Sequence, residues 1–246
     1  MAADGIWVAG VDGCRGGWLV VLRYLSAPAQ CRSFITDDFS TVLTLPENPA
    51  VIAVDMPIGL PEVSGPGGRI CDNEARATLG TRRSALFAVP ARDAVQQTDY
   101  QSACLVASRR SDPPRKVSKQ CFNLFPKIRQ LDALLSPRLQ ARVVECHPEV
   151  AFWALNGEQP MAWPKKIESR PHQPGLDARR RLLEHAGFPP GILWETSIRR
   201  SKAGLDDVLD ACACAWTAGR ISTGAARRFP AQPPLDARGL RMEIWA

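Results

Sequence analysis

Three acidic residues end or directly follow apolar runs. Asp12 closes IWVAGV, Asp55 closes VIAV, and Glu145 follows RVV. A carboxylate at the end of a buried strand is costly to desolvate unless a cation or hydrogen bonds compensate it. In open α/β sheets the ligand crevice lies just beyond the carboxyl ends of parallel strands, so neighbouring strands would bring these acids together. A fourth cluster, Asp206, Asp207 and Asp210, opens the helical stretch LDDVLDACACAWTAGRI. Acids in a first helical turn also cap free N–H groups and oppose the macrodipole, a sufficient use for Asp206. Asp207 and Asp210, three apart, share a face. Hard oxygen donors of this kind suit Mg²⁺ or Mn²⁺, and two such ions about 4 Å apart can stabilise both oxygens of an in-line phosphoryl displacement. The candidate catalytic residues are therefore Asp12, Asp55, Glu145 and Asp207. The candidate ligands of one or two ions are Asp12, Asp55, Asp207 and Asp210.

The elements that must position these acids follow from periodicity. Residues 6–12 and 17–25 read as a hairpin joined by CRGG, and the alternating QCRSFIT supplies a third strand. Asp37 or Asp38 caps a short helix closed by Pro46, and VIAVD follows as a strand buried on both faces. From about 64 to 140 the chain turns to Gly, Pro and arginine, with helical stretches near 71–79 and 92–109; this reads as an insertion into a core of about 5–63 and 141–246, one domain in all. Strand character returns at ARVVE, then a helix ended by Gly157, a Pro-rich connection over 160–174, a helix over 176–186, the DDVLDACACAWTAGRI helix and a final alternating strand, GLRMEIW.

The 246-residue chain carries a formal charge of +6, and 45% hydrophobic residues are enough for a core. Its charge is uneven: residues 69–129 hold 12 Lys and Arg against five acids, so the remainder is slightly acidic. A basic segment beside an acidic centre favours an anionic partner, and nucleic acid is the expected one. Arg15, Arg76, Arg82 and Arg83 are the candidate phosphate contacts, since a guanidinium grips phosphate bidentately. His147 joins them as a substrate or water contact. Cys146 and His147, being adjacent on an extended chain, point to opposite faces and make a poor nucleophile–base pair. No run is long enough for a membrane span, and the eight scattered cysteines lack a CxxC pair, so reduced thiols and a cytoplasmic location are expected.

The motifs GVDGCRGGW (10–18), AVDMPIGLP (53–61), RICDNEARATLGTRRSALFAVPAR (69–92), SKQCFNLFPKI (118–128), VECHPEVAFWALNG (144–157) and DDVLDACACAWTAGRI (206–221) resemble the DUF429 family, predicted nucleases of the ribonuclease H-like fold. That resemblance implies an α/β fold: a mixed sheet of three antiparallel and two parallel strands flanked by helices. It implies metal ligands at Asp12, at Asp55, and at Asp207 with Asp206 or Asp210, and hydrolysis of nucleic-acid phosphodiesters. The DxxD spacing is similar to the Holliday-junction resolvase branch, although Asp55 stands where that branch usually has the longer Glu, and Glu145 is not a standard ligand there. Two other classes remain: an ATP-binding phosphotransferase of the actin-like group, with Gly13, Gly16 and Gly17 cradling phosphates, and a nucleic-acid-binding module without turnover.

Overall fold

A computed structural model describes residues 5–194 and 202–246. The chain opens with β1 (Trp7–Cys14), β2 (Gly17–Tyr24) and β3 (Cys31–Thr36), an antiparallel meander, followed by the short α1 (Ser40–Leu43) and β4 (Val51–Val54). The CRGG turn forms as expected. Gly17 has φ +117°, where a side chain would strike the Thr36 carbonyl. The inserted segment carries α2 (Ile70–Ala77), α3 (Arg92–Val95), α4 (Tyr100–Arg109) and α5 (Lys119–Leu134). β5 (Val143–Glu145) and α6 (Pro148–Leu155) return to the core, followed by the small hairpin β6 (Lys166–Ile167) and β7 (Arg170–Pro171). Then come α7 (Gln173–His185), α8 (Pro190–Leu193), the long α9 (Leu205–Ser222), and β8 (Arg228–Phe229) paired with β9 (Ile244–Trp245).

The main sheet runs β3-β2-β1-β4-β5, with β4 parallel to both β1 and β5. This is the mixed sheet of three antiparallel and two parallel strands that the family resemblance implies. Three details differ from expectation. The helix expected over 92–109 is two helices, because Asp99 starts a new one by accepting from the Ser102 amide at 2.8 Å. The tail forms only the two-residue β9, paired with β8 and touching the edge of the main sheet through a single Cys146–Trp245 bridge. And α5 forms despite Pro126, because Cys121, Phe125, Ile128 and Leu131 recur on one face and are buried, an apolar stripe that outweighs one lost backbone bond.

Alternation along the strands decides what faces what. Ala9, Val11, Ile52, Val54 and Val143 pack with Phe125, Ile128 and Leu131 on the side of the inserted helices. Val8, Val51, Ala53 and Val144 pack with α9 on the other side. Gly10 shares the α9 side, and there the helix lies on bare strand backbone: a Cβ at Gly10 would overlap the Ala211 carbonyl oxygen and the Ala215 nitrogen. We expect Gly10→Ala to cost about 3 kcal/mol or more by overpacking, read as a lowered midpoint in urea unfolding; a loss below about 1 kcal/mol would show that the helix can shift away at little cost.

Candidate active site

The same alternation sends Asp12 and Asp55 to the α9 side, since each lies an even number of residues from Gly10 or Ala53. Val11 and Val54 are paired in register, so the two acids leave neighbouring parallel strands at the same level. Their carboxyl groups come within hydrogen-bonding reach of each other. They line one wall of a cleft of ≈ 420 Å³ together with Gly13, Asp207 and Asp210. Its polar lining also includes Arg82, His147, Lys165 and Lys166, and the buried Arg69, Asp72, Glu145 and Glu149.

Electrostatically this wall is strained. Burial, then Asp55, Asp210 and Asp207, lift the Asp12 carboxyl well above the usual carboxylate range, against a smaller opposing effect of Lys165. Burial raises Asp55 as well, with His147 and Lys165 pulling the other way. Asp210 is raised to about 6 by burial, which its pairing with Lys165 only partly offsets. Lys165 itself is held above its ordinary value: burial alone would lower it, but Asp210 and Asp12 prevail.

The helix acids divide their work. Asp207 accepts the Gly204 amide at 2.8 Å, capping α9. Asp206 pairs with Lys166 at 2.6 Å. Asp210 Oδ2 accepts from the Lys165 ammonium, while its Oδ1 is buried with no hydrogen-bond partner. Neither lysine is marked by any motif or period in the sequence; the chemical signal is no more than a KK pair in a Pro-rich connection.

Glu145 lines the same cleft as Asp12 and Asp55 but is engaged by other partners. It pairs in register with Val54, and therefore faces the inserted helices rather than α9. Both its oxygens are taken: Arg69 donates at 2.6 and 2.8 Å, and the Ile58 amide at 2.7 Å. The Arg69 guanidinium, also bonded to Asp72 at 2.7 Å, is thereby buried between two carboxylates. Glu145 thus holds the insertion to β5.

Most of the expected phosphate-binding arginines are likewise engaged or distant. Arg76 donates to the Leu86 carbonyl and to Asn73, bracing the loop after α2. Arg83 is exposed and Arg15 lies exposed at the hairpin turn, both outside the cleft lining. Arg82 does reach the cleft, fixed by Glu149 at 3.1 Å, which in turn is gripped by Arg179 at 2.7 and 3.0 Å. Although burial works against it, Arg179 and then Arg82 keep Glu149 below the ordinary carboxylate range, so it stays ionised. His147 lines the cleft and caps α6, its Nδ1 accepting the Glu149 amide at 3.2 Å. The glycine turn is packed rather than open: the Gly16 amide donates to the Lys202 carbonyl at 2.8 Å, and Lys127 and Met56 cover Gly13.

The donors fit a hard divalent cation in type and charge, since the wall is all carboxylate oxygen, one atom of it buried and unpartnered. Among the described residues no three side chains already form a group able to hold a metal ion, with Asp207 and Asp210 turned to other partners. Mg²⁺ does not need such a group, because it keeps several waters and takes one or two carboxylates.

The sheet and its acid-lined cleft define an α/β protein with a buried carboxylate centre at the carboxyl ends of parallel strands. More particularly, residues 10–235 match the model of the family described as "Protein of unknown function (DUF429)", and the chain belongs to that family. No curated protein and no solved structure matches it.

The strained carboxylates make a pH-dependent prediction. Because folding raises the Asp12 pKa, the native state holds that proton more tightly than the unfolded chain, and stability is lost as pH rises from the ordinary carboxylate range through the raised value. In a chelating buffer at about pH 8, Asp12→Asn should therefore be more stable than wild type by about 1 kcal/mol or more. The gain should vanish near pH 3. Urea unfolding at the two pH values measures it, and a variant less stable than wild type at pH 8 would contradict the electrostatic picture.

Proposed function

We propose that the protein is a divalent-metal-dependent phosphodiesterase acting on nucleic acid. The observation that carries this reading is the convergence of Asp12, Asp55 and Asp210 on one cleft, with raised pKa values and a buried Asp210 oxygen left unpartnered. Asp12, Asp55 and Asp210 would hold Mg²⁺ or Mn²⁺, which when bound supplies a Lewis acid and a more acidic water. Lining the same cleft, Arg82 offers its guanidinium to a phosphate oxygen, and its pairing with Glu149, itself held by Arg179, fixes that group before substrate arrives. His147 stands beside Asp55 to orient the reacting groups.

Outside the cleft, Arg115, Lys116 and Lys119 are exposed on the segment that leads into its wall at Ser118, a basic approach suited to a phosphate backbone. The sheet composition is also the one the ribonuclease H-like resemblance implies. All eight cysteines are free thiols, which suits a reducing cytoplasm. Among the described residues no helix is long and apolar enough to cross a membrane.

The test is a panel of RNA, DNA, hybrid and branched substrates with Mg²⁺ or Mn²⁺. Cleavage of at least one, reduced about 10²-fold or more by Asp12→Asn, is expected. Arg82→Ala should raise KM more than it lowers kcat, because it removes a binding contact. Binding without cleavage would favour a module that lacks turnover, and cleavage indifferent to Asp12→Asn would place the chemistry elsewhere.

A further inference from the structure

We propose that the acid cluster takes one divalent ion rather than two, because Lys165 permanently supplies the second cation. The inference rests on the metal-dependent reading above and narrows it. Asp12, Asp55 and Asp210, once a bound ion has displaced their protons, bring three negative charges to the cleft wall. Asp206 is met by Lys166, and the charge of Asp207, which also faces the cleft, is offset only in part by the α9 N-terminus that it caps. The Lys165 ammonium on Asp210 offsets one charge, and a single divalent ion offsets the other two. A second ion would find less than one full negative charge left to offset, that of Asp207 at the helix N-terminus, and would meet the ammonium at close range.

Lys165 can serve this way only if it stays in place, and its backbone is held on both sides. The Arg179 guanidinium donates to the Trp163 carbonyl at 3.0 Å, and the His172 amide donates to the Lys165 carbonyl at 2.9 Å. His172 Nδ1 lies 3.0 Å from the Pro164 carbonyl. That carbonyl also lies so close over Gly175 that no side chain fits there, which seats the connection on α7. Lys166 adds its own tie to Asp206. With its backbone seated and its ammonium paired to Asp210 Oδ2, Lys165 leaves Asp210 Oδ1, with Asp12 and Asp55, for the ion. The other charged groups of the lining act elsewhere: Arg69 serves Asp72 and Glu145, and Arg82 serves Glu149.

Isothermal titration of the full chain with Mn²⁺, without substrate, reads the stoichiometry directly. Wild type should bind one ion. Lys165→Met, which keeps the length of the stem, should bind a second ion and hold the first at least tenfold more tightly, whereas Lys165→Arg should keep one. Two ions in wild type would overturn the inference, whatever the variants do. So would a Lys165→Met protein, folded by circular dichroism, with wild-type stoichiometry and affinity, or an absence of binding in wild type. Two ions in a protein that cleaves nucleic acid would overturn the one-ion assignment and leave the nuclease reading standing; one bound ion without cleavage would do the reverse.

Discussion

The close approach of α9 to β1 is the constraint on which the centre depends. At Gly10 the strand has no side chain, and the helix answers with Ala211 and Ala215, so backbone rests on backbone. Asp12 lies two residues beyond Gly10 on the strand, and Asp210 one residue before Ala211 on the helix. Fixing one contact therefore fixes the distance between two carboxylates that repel each other. Because Val11 is in register with Val54, the parallel pairing of β1 with β4 adds Asp55 at the same level. A larger residue at Gly10 would open the core and the acid cluster together.

Elsewhere in the protein, buried charge is matched locally and almost completely. Arg69 sits between Asp72 and Glu145, Arg179 grips Glu149, and Arg92 joins Asp132 to Asp236. Breaking one of these pairs strands the partner at a cost of about 3–5 kcal/mol, and even when paired with Arg69 the Glu145 carboxyl is lifted by burial to about 7. The cleft departs from that rule. Its acids outnumber the cations on them, and its one interior ammonium leaves part of the field unsatisfied.

The strands were legible because their apolar runs are short, bounded by turn residues and ended by acids, and the meander followed from spacing alone. The acids themselves were legible as strand ends and as the first turns of a helix. What the sequence did not disclose was register. Only the pairing of Val54 with Glu145 shows that Glu145 faces away from Asp12 and Asp55, and a one-residue slip would have reversed it. α5 was hidden by Pro126, whose local penalty is outweighed by burial that only the tertiary structure reveals. Lys165 was hidden for a different reason: its partner is 45 residues away in sequence, in another element, and no local pattern couples the two. The arginines were visible as charges, but which are consumed internally depends on folded geometry.

The inserted segment looks in sequence like an appendage, basic where the core is slightly acidic. Its charges tell otherwise. Arg69 lies within it yet neutralises Glu145 of β5, and Arg92 within it neutralises Asp236 of the C-terminal tail, which also accepts the Leu60 amide at 3.0 Å. Neither partner finds a comparable counter-ion in the core strands. Modularity is therefore lost in both directions: a core relieved of the insertion would carry stranded carboxylates, and an insertion grafted onto another sheet would carry buried guanidinium groups with nothing to meet them. The segment that offers the positively charged approach to the cleft can vary on its surface, but it cannot be exchanged as a unit.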